Sequence, residues 1–137
     1  YLAEKHGKGT DFWPEDLQAR ASESRWMDWA LSILAARHVP VFVGLIRTAE
    51  ADRDYDKIAA ARDLWSKANK VLETWLADHE FLSGDTFGLG DIPASPFTYR
   101  WFNIDIERED FPHMKRWHDA ICARPAFKKH IIDVGLS

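Results

Sequence analysis

The stretch that most constrains this chain runs from Phe81 to Trp101, FLSGDTFGLGDIPASPFTYRW. Ser83-Gly84-Asp85 supplies residues that tolerate a tight reversal. A helix start follows. Gly88 can serve as N-cap, and Asp91, three residues later, can reach back to the free backbone N–H groups of the first turn. Phe87 and Ile92 fall at N′ and N4, the two positions of a hydrophobic staple. The predicted helix, residues 89–104, carries Phe97, Tyr99, Trp101 and Phe102 but little charge, so it has to be buried on most sides. Pro93 and Pro96 remove backbone donors in its first two turns, which predicts a kink and leaves the Leu89 and Ile92 carbonyls in need of other partners.

A buried helix needs other helices around it, and the flanking sequence supplies them. Pro14 at N1 and acids at Glu15 and Asp16 predict a helix start near Trp13. Leu17, Ala21, Trp26, Trp29, Ala30, Ile33 and Leu34 then recur at helical spacing. Pro40 is expected to break or kink this helix after His38-Val39, with the β-branched run at 41–46 read as a helical continuation because no second strand exists to pair with it. A second helix is predicted over 55–79, with Ile58, Leu64, Trp65, Leu72, Trp75 and Leu76 inward and Lys57, Arg62, Lys67, Lys70 and Glu73 on a solvated face. Residues 112–123 form another, with Phe111, Met114, Trp117 and Ile121 buried, and a short one follows Pro125. The predicted fold class is all-α, a bundle of five or six helices.

What the chain does is less visible in its residues. At 137 residues, 46% hydrophobic with seven Trp and eight Phe, it suits one domain with a single core. A net charge of -4 without a basic patch argues against nucleic acid. The single cysteine excludes an internal disulfide and fits a reducing compartment. No apolar run is read as reaching the roughly 18 residues of a membrane span, and no membrane partner is expected. His113 and His118, five apart, face different ways, so no metal site is expected. Cys122 reads as a core thiol. Because the chain begins at Tyr1, it is expected to be a piece of a longer protein.

Leu82-Ser83-Gly84-Asp85 followed by Leu89-Gly90-Asp91-Ile92 resembles the turn and N-capping segment of the glutathione transferase C-terminal domain. Arg25-Trp26-Met27-Asp28-Trp29 and Ala123-Arg124-Pro125-Ala126-Phe127 are similar to two further segments of that family, in the same order, and the likeness is to bacterial members. One position departs: the family usually has Ser or Thr where this chain has Gly88.

The resemblance implies a division of labour. Residues 1–10 would end the last helix of a thioredoxin-like domain and form the linker, although without the family they read as a disordered tail. Residues 11–137 would be the helical domain. In such proteins the thioredoxin-like domain binds glutathione and lowers its thiol pKa, and the helical domain holds a small hydrophobic electrophile. The implied protein is a cytoplasmic, homodimeric, detoxifying transferase with glutathione as co-substrate, this piece alone being inactive and holding no catalytic residue. The electrophile wall is assigned to Arg25, Trp26, Trp29 and Ile33, since the first helix of the domain faces the cleft in that family. The same Trp26/Trp29 spacing also fits plain core packing, and Asp91 with Gly88 is read as a structural cap rather than a base. The alternative function is a non-catalytic interaction module of the same fold.

Overall fold

The computed structural model describes residues 1–136. Six helices account for most of it, and among the described residues there is no sheet, only isolated bridges at Lys8–Trp13 and Phe81–Gly84. They are α1 (Leu2–His6), α2 (Leu17–Arg47), α3 (Tyr55–Leu76), α4 (Asp91–Asn103), α5 (Pro112–Cys122) and α6 (residues 125–132). The interior is aromatic. Trp65, Trp101, Trp117 and Phe111 are almost wholly buried between α3, α4 and α5, together with Leu34, Leu72, Leu76 and Leu82. This is the all-α bundle that the helical spacings predict.

Several boundaries differ from the sequence reading. The helix predicted to start at Trp13 begins at Leu17, because the Asp16 carboxylate, not Pro14, meets the first turn and accepts from the Ala19 N–H at 2.7 Å. Nor does Pro40 break it. Pro40 and Ala36 are both exposed, so the carbonyl deprived of its donor faces water, and α2 runs on to Arg47. Two wide π-type turns, Ala30–Leu34 and Val43–Arg47, absorb irregularity elsewhere along it.

By length and composition α2 is also apolar enough to meet the criterion for a membrane span, contrary to the reading of the sequence. Its Leu34, His38 and Val41 side chains are instead taken up by the bundle.

The start of α4 also moves. Gly90, not Gly88, holds the cap position, because Leu89 and Gly90 form a tight turn before regular helix begins. In that turn the Asp91 N–H reaches the Gly88 carbonyl at 3.4 Å and the Ile92 N–H reaches the Leu89 carbonyl at 3.3 Å. Pro93 falls among first-turn residues whose donors have no helical partner, so it removes nothing. Pro96 does remove one, and the Ser95 hydroxyl donates to the orphaned Ile92 carbonyl at 2.9 Å.

Glu73 is the clearest departure from the expected solvated face. It is buried, and its carboxylate accepts from the Met114 N–H at 2.8 Å and the His113 N–H at 3.3 Å. Phe111, at the cap position of α5, has no side chain that could do this, so α3 supplies the acid for the first turn of α5.

Candidate functional site: two aromatic grooves and a capped core

Among the described residues, two of the grooves on the bundle surface are mainly apolar, and they share no lining residue. The larger, about 710 Å³, lies between the first half of α2 and the second half of α3. Arg25, Trp26 and Trp29 form one side, and Val71, Trp75 and His79 the other. The rings make a connected wall. Trp26 meets Trp29 edge to face at 5.6 Å and Trp75 at 5.4 Å, and Trp75 stacks on His79 at 3.7 Å. The Arg25 guanidinium lies 5.2 Å from both the Trp26 and the Trp75 ring centres. Trp75 is fixed in turn by its indole N–H, which donates to the Phe81 carbonyl at 3.1 Å. The Trp26 indole N–H is buried and has no acceptor among the described residues.

Three of the four residues assigned to the electrophile wall therefore come together. Ile33 does not: it is 42% exposed and lies outside the groove. The wide turn over Ala30–Leu34 explains this, since an extra residue in the turn rotates Ile33 off the line through Trp26 and Trp29. The α3 side of the groove was missed. Trp75 and His79 stand at i and i+4, a spacing that places both rings on one face, but the apolar stripe assigned Trp75 to the core.

The smaller groove, about 370 Å³, is walled by Phe12, Phe87, Pro96, Ile121, Arg124 and Phe127 among others. Phe12, in the loop between α1 and α2, meets Phe87 edge to face at 5.7 Å, and Arg124 lies 3.6 Å over the Phe87 ring. This groove is thus built where the amino-terminal residues join the bundle.

Asp91 belongs to neither groove. It is wholly buried, and its Oδ1 accepts from the Leu82 N–H at 2.8 Å and the Trp117 indole at 2.7 Å. Its Oδ2 accepts from the Gly88 N–H at 2.9 Å. One carboxylate thus ties the turn, the start of α4 and the middle of α5.

Glu23, reaching in from α2, accepts from the Ser83 hydroxyl at 2.7 Å and from the Gly90 N–H. Burial pushes its carboxyl above the usual range, and nearby Asp91 pushes the same way, against the Ser83 and Gly90 hydrogen bonds. Glu23 and Asp91 together thus accept hydrogen bonds from the turn at 82–83, from Gly88 and Gly90, and from α5.

Another titratable pair lies within α5. Cys122 Sγ lies 3.3 Å from His118 Nε2, one helical turn away. Burial raises the thiol pKa and lowers that of His118 to about 4, so both are neutral near pH 7 and no thiolate nucleophile is held there. Among the described residues no three His, Cys, Asp or Glu side chains gather as metal ligands would.

Comparison with known proteins agrees with this architecture. The C-terminal domain of glutathione S-transferases matches residues 27–125. The chain belongs to that family. Glutathione S-transferase GstB of Escherichia coli is 34% identical over 132 residues, a match covering 96% of this chain and 63% of that protein. The theta class glutathione S-transferase of Xanthomonas axonopodis pv. citri, solved with glutathione bound, is 36% identical. It superposes with a TM-score of 0.92 over 100% of this chain and 70% of its own. A glutathione transferase of Burkholderia graminis, with two glutathione molecules per subunit, shares the fold at a TM-score of 0.81 and 22% identity. The chain thus spans less than two thirds of the curated relative's length.

Proposed function

We propose that this chain is the helical, electrophile-side domain of a glutathione transferase. A thioredoxin-like domain preceding it would bind glutathione and form the thiolate, which then attacks an electrophile held against the bundle. The observation that carries this reading is the superposition of the whole chain on part of a glutathione-bound transferase. Residues 1–10 would be the end of the thioredoxin-like domain and the linker, with α1 as the last turn of that domain's final helix. That domain would then cover the smaller groove. We further propose a cytoplasmic homodimer, a setting consistent with one reduced, unreactive cysteine.

For the larger groove we propose the role that the family resemblance suggests, one wall of the electrophile pocket, carried by Arg25, Trp26 and Trp29. Its volume is in the range of small-molecule sites, and flat apolar molecules are well matched by connected indole faces. The free Trp26 N–H offers one donor to a ligand oxygen. A second reading is favoured by the position of the groove between α2 and α3, the two helices that the family uses in its two-fold dimer: there a second copy would fill it. Trp29→Ala separates the two. If the groove binds substrate, the full-length protein stays dimeric and its KM for an aromatic electrophile rises; if it is a dimer surface, sedimentation shows monomers. The proposal as a whole rests on the full-length protein being retained on glutathione-agarose and conjugating glutathione to an aromatic electrophile. Failure of both would favour the non-catalytic interaction module.

A further inference from the structure

Away from both grooves, at the end of α2, two guanidinium groups converge on one ring. The Arg100 guanidinium lies 4.2 Å from the Phe42 ring centre and that of Arg47 lies 5.5 Å from it. Arg47 reaches this ring only because the last turn of α2, Val43–Arg47, is π-type. In regular α-helix, residue 47 would point about 140° away from residue 42, whereas a turn with i→i+5 closure sets one above the other.

Among the described residues neither guanidinium has a carboxylate within ion-pair distance. The seven ion pairs seen among the described residues involve neither of them. Arg53, the third cation of this corner, turns back to the Leu45 and Thr48 carbonyls.

The position of Arg100 is held from behind. Its Nη1 donates to His38 Nε2 at 3.0 Å. A guanidinium cannot accept a hydrogen bond, so that imidazole nitrogen carries the lone pair and His38 is neutral. The ring of His38 is packed by Phe42, Trp65 and Phe97, which fixes the donor in place. Two like charges packed against one ring, one of them half-buried and braced, form an arrangement that an anion would complete. Burial, and then the charge of Arg47, both weaken the hold of Arg100 on its proton, a penalty that a bound anion would offset. Val39 and Val43, both exposed, extend an apolar strip back along α2 from Arg47.

We infer that Arg47 and Arg100 form a binding site for a small aromatic anion, a carboxylate or sulfonate on a flat apolar body, with the acid between the guanidinium groups and the body on the Val39–Val43 strip. The site lies apart from the electrophile wall proposed for the larger groove, so the inference does not rest on that reading. Binding itself is a property of this chain, readable with no thiol present.

The test uses the chain as it is, titrated with 2-naphthoate and with its uncharged analogue 2-naphthamide while amide NMR shifts are followed. The expected result is about tenfold tighter binding of the acid, lost at high salt, with the largest shifts around residues 39–47. Arg47→Met should bring the two probes to equal affinity while circular dichroism shows the fold intact. Because replacing Arg100 would also leave the buried His38 without its hydrogen-bond donor, it is not the deciding variant. Equal affinity in the wild type, or a preference that survives Arg47→Met, would overturn the inference. Glutathione supplies carboxylates without an aromatic body, so Arg47-dependent binding of glutathione as tight as that of 2-naphthoate would also overturn it. A full-length protein that fails to conjugate glutathione while this preference holds would sink the transferase reading and leave the site standing.

Discussion

The two ends of α4 each hold a charge taken at least partly out of water, and the fold treats them in opposite ways. At the amino end the Asp91 carboxylate is wholly buried and accepts three hydrogen bonds, from Leu82, Gly88 and Trp117. At the other end Arg100 donates to one neutral imidazole and shares a ring with a second cation. A saturated charge is a fastening of the fold. An unsaturated one leaves donors free to face outward, and the proposed anion site rests on that difference.

Removing the saturated charge should therefore cost most. Asp91→Ala strands two backbone N–H groups and an indole in the core, for a loss of about 3 kcal/mol or more. Chemical denaturation of wild type and variant measures it; an unchanged midpoint would show that the three donors find other partners and that the contrast is false. Gly88→Ser comes next. It restores the residue type usual in the family, yet a Cβ at position 88 would stand 2.5 Å from both Glu23 Oε1 and the Ser83 hydroxyl oxygen. The side chains of Glu23 and Ser83 occupy the space that a capping Ser would need, so the substitution should destabilise by about 1–3 kcal/mol. A more stable variant would mean that Glu23 moves aside at little cost.

These two positions also show what the sequence can and cannot disclose. Asp91 was legible because a local signal points to it: an acid three residues after Gly88, at the head of an apolar run. Glu23 and Glu73 were not, although each fastens a helix start as Asp91 does. Their partners lie 67 and 41 residues away in the chain, at Gly90 and Met114, and each sits among ordinary helix-surface charges. Periodicity reports the face a residue occupies on its own helix and says nothing of which helix end that face meets. Trp26 and Trp29 were legible as a pair for the same local reason. That Trp75 closes the groove opposite them, that one π-type turn carries Ile33 away and that a second brings Arg47 over Phe42 are decided by packing between helices and by an extra residue in each turn.

A change of pH probes the middle of the contrast. His38, which braces Arg100, has its pKa lowered to about 4 by burial and then by the Arg100 charge. Between about pH 4 and its ordinary value near 6.5, the unfolded chain binds the proton and the folded one does not. Stability from this group is thus complete above that window and is lost as pH falls through it. Glu23, whose pKa is raised, works the other way and gains stability as acid protonates it. His38→Gln isolates the first effect, since the amide oxygen still accepts from Arg100 but cannot titrate. The drop in thermal midpoint between pH 7 and pH 5 should be smaller in that variant than in the wild type. An identical drop would mean that the acid is felt elsewhere, as at His118, whose pKa burial also lowers to about 4.

The smallest effect on stability is expected at the unsaturated end. Arg47→Met removes a charge that makes no ion pair among the described residues and that stands near the positive Arg100. Met keeps the length and apolar stem of the side chain, so contact with the Phe42 ring is largely retained. Relief of like-charge repulsion and loss of a cation–π contact then act in opposite directions, each at a half-exposed position where solvent screens them. Stability should change by no more than about 0.5 kcal/mol in either direction, against several for Asp91. The comparison sharpens if the midpoint rises slightly, because a fold that gains by losing a charge was not using that charge to hold itself together. A fall of about 2 kcal/mol would reverse the argument: Arg47 would then be a structural cation whose partner is the helix end itself, and the two ends of α4 would differ in degree only.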